Sequence, residues 1–224
     1  MTVRVFIGYD SKEIVAYHVL VQSIIEHASV PVAFHPIALG TLGRVFTRER
    51  NQLQSTEFSF SRFLTPYLSG YEGWSVFMDC DMIMRRDIAE LWELRDDAYA
   101  VMCVKHDYQP REDVKFLGQV QTRYEKKNWS SVMLFNNARC RALTPEFVNT
   151  ASGLELHQFR WLDGETEIGE LPLFWNFLVG VYEKDERAGL VHFTEGGPYF
   201  ADYRDADFAE EWFAARERTT SVAG

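Results

Sequence analysis

Two aspartates separated by a single residue interrupt an apolar run in the first half of the sequence. The segment SVFMDCDMI places Asp79 and Asp81 directly behind the apolar residues 76–78, and apolar residues resume at position 82. Two carboxylates this close repel each other, and burying them without a counter-charge is costly. A divalent cation removes the conflict, and oxygen ligands suit Mg²⁺ or Mn²⁺. The pattern therefore predicts a metal site at the end of a buried strand.

The same spacing occurs again at Asp205 and Asp207, which gives the chain an internal control. That copy follows no apolar strand and precedes a helical stretch, so we expect a solvated cap. The alternative for the first copy is an ordinary surface turn, where Asp is common. Only the preceding apolar run favours a metal there.

A histidine in the last third of the chain is the candidate third ligand. His192 ends the apolar run of LVHFTEGGP. Its nitrogen would favour Mn²⁺ over Mg²⁺, while the alternative is a structural histidine satisfied within the core. Gly196 and Gly197 follow it, and glycines allow a backbone to approach a ligand closely.

The first strand ends in a second group of candidates, Gly8, Tyr9 and Asp10. A glycine beside an aromatic residue at a strand end suits a flat base. The structural alternative for Asp10 is a helix N-cap, with Glu13 three residues on completing a capping box.

Further polar residues stand in otherwise apolar or strand-end positions. Arg62 lies on an apolar helix and needs an anionic or polar partner, either a structural carboxylate or a nucleotide. The loop before another strand carries small hydroxyl and amide side chains that suit sugar hydroxyls, or an ordinary loop: Asn128, Ser130 and Ser131. His106 and Asp107 follow a strand, and Asp163 lies near Trp161, so these are further candidates.

These residues need a scaffold that gathers them. Apolar periodicity predicts helices at 11–27, with Ile14, Val21, Ile24 and Ile25 inward, and at 61–68, 87–94 and from 144. We expect Asp87 and Glu90 to form a capping-box-like pair and Thr144, before a proline, to be an N-cap. It predicts strands at 3–7, 32–39, 74–78, 99–104, 132–135 and 190–193. The alternation indicates an α/β fold with a mainly parallel sheet, in which ligands bind beyond the carboxyl ends of the strands. We expect a single domain over residues 1–224.

Composition narrows the class of partner. A net charge of −10 argues against nucleic acid or an anionic membrane. Three separated cysteines predict buried, reduced thiols in a cytoplasmic protein. No signal peptide is visible, and no apolar stretch approaches the roughly 18 residues of a membrane span, although a peripheral membrane contact stays open.

Five segments taken in order carry a family resemblance: VFIGYD, SRFLTPYL, FMDCDMI, NWSSVMLFNN and VHFTEGGPYF. Together they resemble the GT-A glycosyltransferases, most of all glycosyltransferase family 8, the glycogenin and lipopolysaccharide galactosyltransferase group. The resemblance implies a Rossmann-like α/β fold with a mixed, mainly parallel sheet and helices on both faces. It also implies a UDP-sugar donor, Mn²⁺ and retaining transfer to a hydroxyl acceptor, such as that of a surface glycan.

The resemblance also implies roles for individual residues. Asp79, Asp81 and His192 match the metal ligands, Asp10 the residue that binds uracil, and Arg62 an arginine near the nucleotide. The family's sugar-contact stretch corresponds to Asn128, Ser130 and Ser131. The family's aspartate near the anomeric centre corresponds to Asp163.

The sequence departs from the family in its last motif, where Gly197 replaces a lysine that steadies the diphosphate. Lys105, Lys126 and Lys127 are the candidate replacements. Two other functions stay open: a non-catalytic nucleotide-sugar-binding module and an Asp-nucleophile phosphatase. If the sugar inverts, a carboxylate such as Asp107 or Asp163 must act as base.

Overall fold

The computed structural model describes residues 2–50, 54–107 and 125–221. Its strands are β1 (Val3–Gly8), β2 (Val32–Ile37), β3 (Trp74–Met78), β4 (Met82–Met84), β5 (Val101–Cys103), β6 (Val132–Asn136), β7 (Ile168–Glu170), β8 (Phe177–Leu178) and β9 (Leu190–His192). Its α-helices are α1 (Ile14–His27), α2 (Leu39–Leu42), α3 (Thr65–Leu68), α4 (Ile88–Glu93), α5 (Pro145–Thr150), α6 (Gly153–His157) and α7 (Ala209–Thr220).

A six-stranded sheet in the order β2-β1-β3-β6-β5-β7 forms the centre of the fold. β1 is parallel to both β2 and β3, and β5 is parallel to β7. β6 runs antiparallel to its neighbours β3 and β5. The sheet is therefore mixed and mainly parallel, which confirms the α/β prediction. Its inner strands β1, β3, β5 and β6 are almost fully buried, as expected for a sheet covered on both faces, whereas the edge strand β2 is partly exposed.

A second, three-stranded sheet in the order β4-β9-β8 lies beside the first. β4 follows the two aspartates directly and pairs antiparallel with β9, so that Met82 lies opposite His192. The backbone N–H of Phe193 also donates to the carbonyl oxygen of Asp81 at 2.9 Å. This pairing fixes the late histidine beside the early aspartate.

Helix α1 differs from its sequence prediction in its start and in its buried face. It begins at Ile14 after Glu13, whose side chain makes no capping bond. The predicted capping box is therefore wrong. The predicted stripe is also only partly right, because Ile14 and Ile25 are 45% and 55% exposed while Ile24 is buried. α1 packs against α7 and β4, and these contacts turn a face with smaller side chains inward: Ala16, Val19, Leu20, Ser23 and Ile24.

The other predicted helix starts are largely confirmed. Asp87 caps α4 by accepting from the N–H of Ala89, and Thr144 caps α5 by accepting from Phe147. Glu90 does not complete a capping box, since its carboxylate pairs with Arg86. The predicted helix at 61–68 forms in two parts, a 3₁₀ turn at Ser61–Leu64 followed by α3.

The cysteines are buried, as predicted. Cys80, Cys103 and Cys140 are free thiols. Burial raises the pKa of Cys103 to about 12, and it also raises the pKa values of Cys80 and Cys140 well above the usual value of a thiol. They are therefore protonated and unreactive at neutral pH. Among the described helices, none is both long and apolar enough to span a membrane.

Candidate functional site

Three loops meet at one edge of the central sheet. Ile7 of β1 pairs with Met78 of β3, and Met78 pairs with Val132 of the antiparallel β6. The segment after β1, the segment after β3 and the segment before β6 must therefore lie side by side. These are the segments that carry the predicted base-binding, metal-binding and sugar-binding residues.

Asp79, Asp81 and His192 converge at this edge. One ligand atom from each lies within 4.8 Å of the others. Asp79 is 9% and His192 2% exposed, and His192 Nε2 lies 3.4 Å from Asp81 Oδ1. The buried carboxylate of Asp79, the half-buried carboxylate of Asp81 and an imidazole form an O, O, N donor set of the kind that binds Mn²⁺. The geometry thus fits the metal that the sequence predicted.

Arg62 provides positive charge to one side of this group. Its Nη1 lies 2.7 Å from Asp79 Oδ1 and donates to the carbonyl oxygen of Ser130 at 2.9 Å. The guanidinium is 5.2 Å and 5.1 Å from the ring centroids of Phe58 and Phe77. The anionic partner expected for this arginine is therefore Asp79, and the contact fixes the orientation of that carboxylate.

The residues before β6 are held by partners inside the protein. Asn128 Nδ2 donates to Thr194 Oγ1 at 3.0 Å, and Ser131 Oγ donates to the carbonyl oxygen of Asn128 at 2.6 Å. Ser130 Oγ lies 2.7 Å from His157 Nδ1. These contacts stabilise the loop beside the metal group. Contact of the three side chains with a sugar stays a prediction.

The glycines of the site face aromatic rings. A Cβ on Gly8 would lie 2.3 Å from the Phe58 ring, and one on Gly197 would lie 2.1 Å from the Tyr199 ring. Gly196 has a φ of +154° and its Cβ position lies 2.5 Å from the Tyr203 ring. Ring packing therefore already requires glycine at these positions. Their predicted role against a cofactor, like that of Tyr9, is not decided by this packing.

The carboxylates proposed for base recognition and catalysis have different environments. Asp10 is 1% exposed, and its oxygens accept from the N–H groups of Lys12 and Glu57, both at 2.9 Å. Asp107 and Asp163 are exposed and lie outside the metal group found among the described residues.

The control pair, Asp205 and Asp207, is also exposed. It is solvated as expected, but it does not cap α7, which starts after Phe208 without a side-chain cap.

The three lysines considered for the missing cation differ in their contacts. Lys126 pairs with Glu165 at 2.8 Å and donates to the carbonyl oxygen of Gln158. The Nζ atoms of Lys105 and Lys126 lie 5.8 Å and 5.6 Å from the Trp129 ring centroid. Lys127 is buried, with 9% exposure. Lys105 and Lys126 therefore form one cationic face around Trp129.

Sequence reasoning missed Asn176. This residue is fully buried and contacts His192 Nδ1 at 2.9 Å. An asparagine inside the apolar run LFWNFL was the available signal, because a buried amide needs hydrogen-bond partners. His106, a candidate because it follows a predicted strand, is 5% exposed, and its Nδ1 lies 2.9 Å from the Tyr182 hydroxyl.

Two buried histidines should make the fold sensitive to acid. Burial lowers the pKa of His106 to about 3, and burial together with the charge of Arg62 lowers the pKa of His157 well below its usual range. Both stay neutral in the native state, whereas the unfolded chain binds a proton on each below about pH 6.5. The two histidines therefore do not lower the free energy of unfolding above that pH. On acidification below it, the free energy of unfolding falls by up to about 1.4 kcal/mol per pH unit for each histidine.

Urea denaturation at several pH values below neutrality measures this slope. His157→Asn should reduce the slope of unfolding free energy against pH by the contribution of one histidine proton. His18→Asn is the matched control, because His18 is exposed on α1. An unchanged slope in His157→Asn would contradict the assignment.

No protein-family model matches the chain. A curated relative, Protein CDI of Arabidopsis thaliana, is 50% identical over 223 residues, which covers 96% of this chain and 86% of the relative. Identity at this level over nearly the whole of both chains establishes common descent.

Solved structures with low sequence identity share the fold. The galactosyltransferase LgtC, in complex with donor and acceptor sugar analogs, superposes with a TM-score of 0.62 at 12% identity, covering 98% of this chain and 97% of LgtC. The bifunctional glycosyltransferase WbbM gives 0.67 at 15% identity, with 98% of this chain and 50% of WbbM covered. Glycosyltransferase GlyE of Streptococcus pneumoniae gives 0.64 at 13%, with 96% of this chain and 60% of GlyE covered. The chain thus spans about half of WbbM and three fifths of GlyE. The chain has the fold of GT-A glycosyltransferases, and it belongs to the family of Protein CDI.

Proposed function

We propose that the chain is a metal-dependent glycosyltransferase that moves a sugar from a UDP-sugar to a hydroxyl acceptor. The observation that carries this proposal is the group formed by Asp79, Asp81 and His192, within 4.8 Å of one another in a GT-A fold. The group lies at the carboxyl end of β3, where open α/β sheets bind their ligands. The superposed LgtC structure holds donor and acceptor sugar analogs.

The chain's own residues prepare the site for a cation. Asp79 and Asp81 supply two carboxylate oxygens, and His192 supplies a ring nitrogen. Arg62 holds Asp79 in place. A divalent cation bound there would act as a Lewis acid on the diphosphate and stabilise the negative charge of the leaving group. Low exposure of these side chains excludes much of the water that would screen the interaction.

The remaining roles in the proposal concern the nucleotide and the sugar. Asp10 lies at the end of β1, beside the metal group, and would accept a hydrogen bond from the base. We propose retention, in which the leaving diphosphate takes the proton of the acceptor hydroxyl. Asp107 and Asp163 are then not required as bases, and the anomeric configuration of the product, read by NMR, tests this.

A non-catalytic nucleotide-sugar-binding module is the second candidate, because Gly197 stands where family 8 carries its lysine. Such a module would bind the donor without turning it over. Lys105 and Lys126 beside Trp129 are our candidates for the missing positive charge. With a GT-A fold present, the phosphatase alternative has no structural support.

UDP should stabilise the protein strongly in the presence of Mn²⁺ and weakly in its absence. A ligand that binds only the native state at 100 times its Kd adds about 2.7 kcal/mol, or about 5–10 °C in Tm for a chain of this size. The measurement is a thermal-shift titration with UDP, GDP and ADP, each with and without Mn²⁺. We expect the largest shift for UDP with Mn²⁺.

The outcomes separate the candidates. Equal shifts for the three nucleotides would contradict the proposal that Asp10 recognises the base. A UDP shift that does not depend on Mn²⁺ would contradict the metal site. A specific, metal-dependent UDP shift without hydrolysis or transfer of any UDP-sugar would favour the binding module.

A further inference from the structure

A fully buried amide lies directly behind the candidate metal ligands. Asn176 precedes β8 and has no exposed surface. Its Oδ1 lies 2.9 Å from His192 Nδ1. Its Nδ2 lies 3.2 Å from the carbonyl oxygen of Asn128 and 2.9 Å from Ser131 Oγ. The amide therefore joins the loop before β6 to the histidine on β9.

These contacts fix which way the amide points. A carbonyl oxygen can only accept, so the atom of Asn176 that faces Asn128 must be the donor nitrogen. Ser131 Oγ already donates its hydrogen to the same carbonyl oxygen at 2.6 Å, so it accepts from Asn176. The reversed amide would set two oxygens against each other in a buried site, which is costly. Asn176 Oδ1 must therefore face His192.

The orientation of the amide determines the proton on the imidazole. Oδ1 can only accept, so Nδ1 of His192 must carry the hydrogen. In the neutral ring the opposite nitrogen, Nε2, then keeps its lone pair. That nitrogen faces Asp81 Oδ1 at 3.4 Å. The ring thus presents a metal-ligating lone pair to the carboxylates.

We infer that Asn176 is a positioning residue that holds His192 as the Nδ1-protonated tautomer, with the Nε2 lone pair directed toward Asp81 and Asp79. Its effect on metal affinity rests on the proposed function. Its effect on the tautomer does not, because the hydrogen bonds that set it are all within the protein. Partners of this kind behind a ligating histidine fix the ring and raise metal affinity.

A second fully buried asparagine, next to a strand of the central sheet, provides the matched control. Asn137 follows β6 and is also fully buried. Its Oδ1 accepts from Ser75 Oγ at 2.8 Å, and its Nδ2 donates to the carbonyl oxygen of Glu72 at 3.1 Å. It makes the same kind of contacts at the opposite end of β6, away from the metal group. Loss of either amide should therefore destabilise the fold, but only one should alter His192.

The test compares Asn176→Leu, Asn176→Asp and Asn137→Leu with the unmodified chain. Long-range ¹H–¹⁵N spectra of histidine-labelled, metal-free protein report which nitrogen of His192 carries the hydrogen. Mn²⁺ titration gives the metal affinity of each variant, and urea denaturation gives its stability. Asn176→Asp keeps an acceptor for His192 Nδ1 and loses the two hydrogen bonds that the amide nitrogen donates. It therefore separates an effect on the His192 tautomer from an effect on stability.

We expect Nδ1-protonated His192 in the unmodified chain, in Asn176→Asp and in Asn137→Leu. In Asn176→Leu we expect the other tautomer to be populated and Mn²⁺ affinity to fall about 10–100-fold. An Nε2-protonated ring in the unmodified chain would overturn the inference. So would a Leu variant at 176 that keeps both the tautomer and the Mn²⁺ affinity. Failure of the unmodified chain to bind Mn²⁺ would instead contradict the proposed function, while the spectra still decide the tautomer.

Discussion

Asp81→Asn should remove Mn²⁺-dependent sugar transfer while leaving the fold intact. The substitution keeps the shape of the side chain and removes one of the two charges that face His192. Metal stabilisation of a leaving group contributes several kcal/mol, so we expect turnover to fall by about 10³-fold. Without metal, the melting temperature should stay equal or rise, because repulsion between Asp79 and Asp81 is relieved. Steady-state kinetics with UDP-sugar hydrolysis as readout, together with thermal denaturation, checks both parts.

Asp207→Asn is the control for this prediction, since Asp205 and Asp207 repeat the spacing on an exposed segment. It makes the same chemical change at the same position of the motif. We expect no effect on turnover or on Mn²⁺ affinity. Unchanged Mn²⁺-dependent turnover in Asp81→Asn would contradict the assignment of Asp81 as a metal ligand.

Arg62→Met should destabilise the protein markedly, and added metal should offset part of the loss. Arg62 is 5% exposed and pairs with Asp79 at 2.7 Å. Removal of one partner from a buried ion pair costs about 3–5 kcal/mol, because the remaining buried charge loses the counter-charge that offset it. A divalent cation at the carboxylates supplies that compensation and stabilises the native state by mass action. Urea denaturation with and without Mn²⁺ measures both effects.

A double variant and a surface pair define the controls. Asp79→Asn added to Arg62→Met also removes the charge that Arg62 offset, so the combined loss should be smaller than the sum of the two single losses. Arg218 and Glu26 form an exposed pair at 2.6 Å, with Arg218 half exposed. Arg218→Met should cost only about 0–1 kcal/mol. Equal losses for Arg62→Met and Arg218→Met would show that the buried pair has no special role.

The local sequence pattern was enough to predict elements whose residues are uniformly buried and helix caps that depend on near neighbours. The run at 74–78 was predicted as a strand with its bounds, because every residue in it is apolar or small and both faces are covered. Thr144 and Asp87 were recognised as helix caps because capping depends on neighbours within one turn. The face of α1 was predicted less well, since α7 decides which side chains are buried.

The site depends on contacts that local pattern does not contain. The position of Asp79 after an apolar strand was visible in the sequence, but its neighbour Arg62 was assigned only a class of partner. Asp81 and His192 meet through the pairing of β4 with β9, which no local spacing predicts. Asn176 was missed because it lies in an apolar run that reads as core.

The pairing of β4 with β9 also bears on when the site comes into existence during protein synthesis. Asp79 and Asp81 leave the ribosome more than a hundred residues before His192. A nascent chain that ends before β9 therefore has both carboxylates and neither the third ligand nor the strand that aligns them. Because contacts distant in sequence form late, when the loop between them has closed, metal capture should coincide with docking of β9. The group of Asp79, Asp81 and His192 is therefore complete only after β9 has been synthesised and has paired with β4.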